Sequence, residues 1–559
     1  MFGLTFCKPF NTITMKNNKV FILVGIILAI FLATLDQMIV STAMPQIVRD
    51  LNGIENLSWV FTAYMLTSTI TMAIYGKLAD LLGRKQLYVV GIIIFLVGSA
   101  LSGLSQNMVQ LIFFRALQGI GGGAIMIISF AMIGDVFPPA VQAKYQGMIG
   151  GVAALSSIIG PLLGGWITDN FSWRWTFYIN VPVGIIALII IIGSLPYIRH
   201  KVKASTLDFA GSIAMTTTLI PFLLALVWGG NMYAWNSWQI ISLFAIAIAS
   251  LGAFIYAESK AKNAILSLDL FRNKTFVVSA SSSFITTMGM FGIILFIPLF
   301  AQGIIGITAT HSGLILTPMM VSLIIAAVIS GQIVSRTGKY KIVALAGMAL
   351  AAFGMYLFSL IDITTTNNIL VMNMAVLGLG LGTTIPIFQL VALNSFPVTR
   401  VGEVTAGSQL FKNLGGTVGL ALLGGFMNTQ LATKMAPAVN DPFVAILKKM
   451  NPTHSFEMDS KTVQTLLNPQ AQAKMKTMIS AAPSSMQASI AQSFTHFLET
   501  VKIAFSGALD NLFLVSTIIL AIGFVVVLFL PEKPLRKTNK VEGEEVASTA
   551  DILEEVAIM

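Results

Sequence analysis

Val20–Pro45 reads VFILVGIILAIFLATLDQMIVSTAMP, an unbroken apolar run with a single charged residue, Asp36. As a helix rising ~1.5 Å per residue, about 20 such residues cross ~30 Å of hydrocarbon. The run is longer than the core of a cleavable signal and contains an acid, so it reads as an uncleaved first span. Residues 1–14 read as dispensable, with Met15, followed by Lys16, as an alternative start.

Comparable runs recur up to residue 530. We place spans at about 20–45, 57–79, 86–105, 108–135, 143–167, 177–197, 207–228, 238–258, 275–301, 311–334, 342–361, 368–393, 403–428 and 509–530. The composition agrees: 56% of residues are hydrophobic and 10% charged, where a soluble domain carries about 25% charged residues. The expected class is an all-α integral membrane protein of 14 transmembrane helices. The lone Cys7 cannot form an internal disulfide.

Fourteen spans put both termini on one side, and loop charge identifies that side. Segments on the N-terminal side hold 23 Lys and Arg, while the short loops opposite hold only Arg49 and Arg174. The positive-inside rule therefore makes both termini cytoplasmic. Lys412 is counted with that side, its long stem reaching the edge. Trp173, Trp175, Trp228, Trp235 and Trp238 mark the outer interface. The net charge of +10 is thus a topology signal, and no nucleic-acid partner is expected.

Internal repetition divides the chain. Span 2 ends in GKLADLLGRKQ (Gly76–Gln86) and span 10 in GQIVSRTGKYK (Gly331–Lys341). Span 4 carries GIGGG from Gly119, and span 12 carries GLGLG from Gly378. Spans 5 and 13 align through Gly150, Gly151, Gly160 and Gly415, Gly416, Gly425. These matches imply two six-helix repeats with a two-helix insert, a known transporter plan. The expected units are 1–198, an N-terminal bundle; 199–270, the insert with its flanks; 271–530, a C-terminal bundle including an outer loop at 429–508; and 531–559, a disordered tail. Ser484–Lys502 has helical spacing and is expected to extend span 14 outward.

An acid inside a span is costly and ordinarily marks an ion pathway or faces a partner. Asp36 lies ~25 Å from the inner face and Arg115, in LIFFRALQGIGGG, ~20 Å from it. Within boundary error they share a level, so the two are expected to interact. The pair reads either as a proton-coupling device or as a permanent ion pair joining two helices. Gly76, Asp80, Gly83, Arg84 and Lys85 form the most specific local signal. Their position at the inner mouth suits a gate latch; a topology determinant alone is the other reading. Gly160, Pro161, Gly164 and Gly165 suit a helix interface that controls opening, or plain packing.

The sequence resembles the major facilitator superfamily, specifically the fourteen-helix drug/proton antiporters typified by QacA and EmrB. Gly76–Lys85, Arg115–Gly119, Gly160–Gly165 and Leu35-Asp36 with Pro45 carry the resemblance, which covers about residues 20–530. Ser156 stands where the span 5 signature usually has glycine, and Gln37-Met38 departs from the usual span 1 pattern. The resemblance implies export driven by proton entry, with Asp36 as protonation site, Arg115 in coupling and Glu403 as a second proton site. It also implies a central cavity, to which Tyr64, Met126, Phe284, Met288, Phe291, Phe388 and Gln389 are assigned by depth. An acid in an aromatic cavity suits lipophilic, often cationic, small molecules.

The sequence holds no metal cluster, nucleophile triad or phosphate-binding loop, so neither enzymatic activity nor a cofactor is expected beyond the proton gradient. The expected location is the plasma or bacterial inner membrane. Two other readings stand beside drug export: dedicated export of one metabolite or lipid, and a non-transporting sensor or scaffold.

Overall fold

The computed structural model describes residues 18–51, 57–137, 139–195, 209–230, 232–261, 266–305, 316–397, 400–439, 441, 443–444, 466, 472, 475, 477, 479–480 and 484–535. The start-site alternatives, Asp208, His311, much of the outer loop and the tail from 536 lie outside the described residues.

The long helices are α1 (Asn18–Leu51), α2 (Leu57–Leu82), α3 (Arg84–Leu104), α4 (Met108–Val136), α5 (Pro139–Asn170), α6 (Asn180–Ser194), α7 (Phe209–Trp228), α8 (Trp238–Lys260), α9 (Lys274–Phe300), α10 (Thr317–Thr337), α11 (Tyr340–Phe358), α12 (Asn367–Asn394), α13 (Val401–Lys434) and α14 (Ser484–Leu528). Twelve of the described helices are long and apolar enough to cross a membrane. The 26-residue α2 and 32-residue α5 are as long but fall outside that set. Both are packing helices, α2 against α4 and α5 against α1 and α10. The end of the bundle that holds the start of α1 is called the N-face below, and the opposite end the far face.

Glycine stripes explain how the helices come together, because small residues let backbones approach in lipid. On α4, Gly119 and Gly123 lie on the α2 backbone at Tyr64 and Ser68, while Gly121 lies on α3 at Gly91 and Phe95. On α12, Gly378 and Gly382 lie on α10 at Met319 and Leu323, while Gly380 lies on α11 at Ala351. A methyl group at any of these six positions would overlap the neighbouring helix. Each triplet member on α12 is 259 residues beyond its counterpart on α4, so the sequence repeat is a repeat of helix contacts. Gly83 (φ 97°) and Gly338 (φ 71°) turn the chain between α2 and α3 and between α10 and α11, a backbone region glycine enters without steric cost.

The alignment of spans 5 and 13 is corrected by the same test. Gly160 and Gly164 meet α1 at Met38 and Ile39, whereas Gly415 and Gly419 meet α9 at Phe284 and Met288. The equivalent of Gly415 is therefore Gly160, not Gly150.

Two large apolar clusters result, one built mainly from α1, α3 and α4, the other mainly from α9–α14. A third joins Met215, Leu219 and Leu223 of α7 to Leu266, Phe276, Leu393 and Leu410. The helix α14 runs unbroken from Ser484, about 66 Å at 1.5 Å per residue, so the expected outward extension is one continuous helix. Phe443 packs on Phe494 and Phe497 of that extension, and His496 Nδ1 lies 3.0 Å from Asp441 Oδ2. At the N-face, residues 531–535 are not disordered. The Tyr340 hydroxyl donates to Pro531 O (2.7 Å) and accepts from Lys533 N (2.6 Å), and Asn394 Nδ2 donates to Pro534 O (3.1 Å).

Candidate functional site

Asp36 on α1 and Arg115 on α4 are both fully buried, and Arg115 Nη1 donates to Asp36 Oδ2 at 2.5 Å. Two amides complete the carboxylate's surroundings. Gln118 Nε2 donates to Oδ1 at 2.9 Å and Asn180 Nδ2, on the first residue of α6, donates to it at 2.7 Å. Asn180 also donates to Ser99 Oγ at 2.9 Å, and Ser99 in turn to Phe177 O at 2.9 Å. Gln118 Oε1 accepts from Arg115 Nη1 at 2.8 Å. A carboxylate accepts all three donors, so the network spans α1, α3, α4 and α6 with its acid satisfied.

The guanidinium is less completely served. Its Nε and second terminal nitrogen have no hydrogen-bond acceptor among the described residues. Its carbon lies 4.4 Å from the Tyr64 ring centroid, where the π-face attracts the cation. Tyr64 is itself held on Gly119 and Gly122 of α4.

Gln118, Asn180 and Ser99 were not anticipated from sequence. Gln118 was findable, since it lies three residues after Arg115 on the same helix face. Asn180 sits far along the chain at a helix start, and no local signal points to it.

The glycines of α5 position α1 just beyond Asp36. Gly160 lies on Met38, Gly164 on Ile39 O (2.9 Å for an added methyl group) and Gly165 beside Thr42. Ser156, the departure from the family pattern, is used: its hydroxyl pairs with Thr34 Oγ1 at 2.8 Å, half a turn before Asp36. The Pro161 side chain lies outside the described residues.

The Gly76–Lys85 segment joins both halves at the N-face. Gly76 sits directly against Ala406 and Gly402 O of α13. Arg84 pairs with Asp135 at the end of α4, one of its bonds being 3.1 Å, and Lys85 Nζ caps α6 through Ile192 O and Leu195 O, both 2.6 Å. The Asp80 side chain lies outside the described residues. Other approaches between the halves also run from the N-face to mid-depth: Gly134 to Val401 and Gly151 to Ile324. The halves are thus closed together at the N-face. Gly76→Leu is expected to wedge them apart there. A cysteine placed at Ala406 then becomes reactive to a bulky maleimide, and an unreactive cysteine would show that the closure does not depend on Gly76.

The remaining assigned residues take other places. Glu403 is 1% exposed at the N-face end of α13, bound by Arg400 (2.9 and 3.0 Å) and by Ser267 N (2.9 Å). It anchors the α8–α9 connector there, far from the Asp36 level. Phe388 is 1% exposed inside the C-terminal cluster, and Met126 packs on the N-terminal one. Phe284 and Met288 present backbone to Gly415 and Gly419, and the Phe291 ring covers Gly416. Gln389 is buried, with Nε2 lacking an acceptor among the described residues. Lys412 is not at the edge: it lies eleven residues into α13, ~16 Å from its start.

The sequence model described as Major Facilitator Superfamily matches residues 26–420. The chain is 42% identical over 536 residues to the "Multidrug transporter protein MdtP" of Bacillus subtilis (strain 168), covering 94% of this chain and 95% of that one. It is 37% identical over 438 residues to "Multidrug resistance protein 3" of the same strain, covering 78% and 84%. Among solved structures, the proton:xylose symporter XylE shares the fold, with TM-score 0.56, 12% identity and coverage of 93% and 98%.

Proposed function

Since the chain belongs to the major facilitator superfamily, a family of membrane transporters and not of enzymes, we propose that it is a fourteen-span proton-coupled antiporter that exports lipophilic compounds. The buried Asp36–Arg115 pair carries this reading. A charge pair enclosed within the membrane span, among amides that can re-pair, is the kind of element that a proton can switch. Support for drugs as cargo comes from the two Bacillus relatives, whose names describe multidrug transport and resistance.

In this account both termini are cytoplasmic, so the N-face is the inner face and closure through Gly76 leaves the outer side accessible. A proton arriving from outside adds to Asp36 Oδ2 and breaks its bond to Arg115. Arg115 then turns its free donors to other acceptors, the α1–α4 contact loosens, and the halves exchange their closed end. Release of the proton inward restores the pair. Each cycle carries cargo out against one or more protons entering.

Expression in a bacterial host stripped of its own exporters tests this. Cells are expected to tolerate several lipophilic drugs better and to expel a preloaded dye, and collapsing the proton gradient should stop expulsion. Dye retention identical to that of empty cells would remove the exporter reading.

A further inference from the structure

The expectation of cationic cargo rested on Asp36 facing the cavity, and Asp36 is instead enclosed and already paired. The other deep charge is Lys412. Its direction follows from its helix. Glu403, Leu410 and Leu414 of α13 face the α8–α9 connector and the α7 insert. Asn413 meets α2, where its Nδ2 lies 3.2 Å from Met72 Sδ, and Gly415 meets α9. At about 100° per residue, Lys412 is two and a half turns from Glu403 and roughly opposite Leu410 and Leu414. It therefore points away from the insert, between α2 and α9, into the space between the halves. The residue is partly buried.

Among the described residues no carboxylate lies within ion-pair distance of Lys412, and it has no hydrogen-bond partner. The acids of the neighbouring elements are placed elsewhere: Asp80 and Asp135 near the N-face ends of α2 and α4, Glu403 at the start of α13, Asp510 near the far face on α14. Asp36, in the middle of α1, is already balanced by Arg115. Among the described residues Lys412 is thus a deep positive charge without a counter-ion. One turn before Lys412, on the same face and on the side toward which a helical side chain tilts, Ser408 is 4% exposed and its hydroxyl has no partner among the described residues. A cation and a free donor stacked at mid-depth on an inward face form a receptor for an oxyanion.

Resting on the exporter reading, we infer that the cargo is a lipophilic anion, a carboxylate or sulfonate on an apolar body, with Lys412 as its counter-ion and Ser408 as its second donor. Asp36–Arg115 is left to proton coupling, so cargo and proton use different charged groups in different halves.

The full-length protein in proteoliposomes tests this with three dyes or ions: anilinonaphthalene sulfonate (anion), tetraphenylphosphonium (cation) and Nile red (neutral). The wild type is expected to move the anion faster than the cation. Lys412→Gln is expected to lower the anion-to-neutral transport ratio about 30-fold, as for truncation of one partner of a buried charge pair. Lys412→Arg keeps the ratio within about tenfold. A fall short of about tenfold in Lys412→Gln, an equal loss in Lys412→Arg, or a wild-type preference for the cation overturns the inference. If Nile red moves and the anion does not, this inference alone fails. If none of the three moves, the exporter reading fails and takes this one with it.

Discussion

Arg115→Ala is expected to destabilise the protein by about 3–5 kcal/mol, the cost of breaking a buried ion pair and leaving one charge uncompensated. Asp36 keeps two amide donors, Gln118 and Asn180, but loses its only cation. The Tyr64 face loses its guanidinium as well. Unfolding in detergent measures the loss, and a cost below about 1 kcal/mol would mean that the pair is not a stabilising junction of α1 and α4. Asp36→Asn/Arg115→Met is the informative companion. It removes both charges and keeps an acceptor oxygen for the two amides, so it should recover most of the stability. Export should stay absent, because neither switching group remains. Full export by the double variant would reduce the pair to a structural clamp.

Asp36→Asn alone is expected to lower export by on the order of 100-fold, the scale seen when a positioned proton-transfer group is lost. The amide oxygen still accepts from Gln118 and Asn180, but the amide nitrogen then faces Arg115 Nη1 and leaves that charge unbalanced, so folding is measured alongside export. What disappears is the site that gains and loses a proton. Monodisperse protein with retained dye binding would show that the loss lies in coupling and not in folding. Export within a few-fold of wild type would exclude Asp36 as the coupling acid.

The spans were legible because a bilayer demands apolar runs of one length, and Val20–Pro45 meets that demand with a single exception. The exception was legible for the same reason: one acid and one arginine in apolar helices stand out, and depth alone brings them together. Their amide partners were not, because Gln118 and Asn180 look like ordinary polar residues until the helices are packed. Glycine runs identified the repeat on α4 and α12, where three spaced residues fix a register. They misaligned α5 and α13, where Gly-Gly occurs at 150, 164, 415 and 424 and several alignments fit equally. Only contact with α1 and α9 selects among them. Lys412 differs from its expected place at the edge for another reason. Charge counting assigns a lysine to the nearest edge, and the α13 helix begins early enough to carry it to mid-depth. Likewise the depth of Phe388 was compatible with a cavity, but depth does not give the direction of a side chain, and it points into the C-terminal cluster.

The most direct test is proton movement on addition of cargo. Wild-type and Asp36→Asn proteins are reconstituted into proteoliposomes containing a pH-sensitive dye, and a transported dye or drug is added without an imposed gradient. The account predicts that cargo drives proton flux in the opposite direction through the wild type and that Asp36→Asn shows none. Equal proton flux in the two proteins, or cargo transport by the wild type with no proton movement, would contradict it.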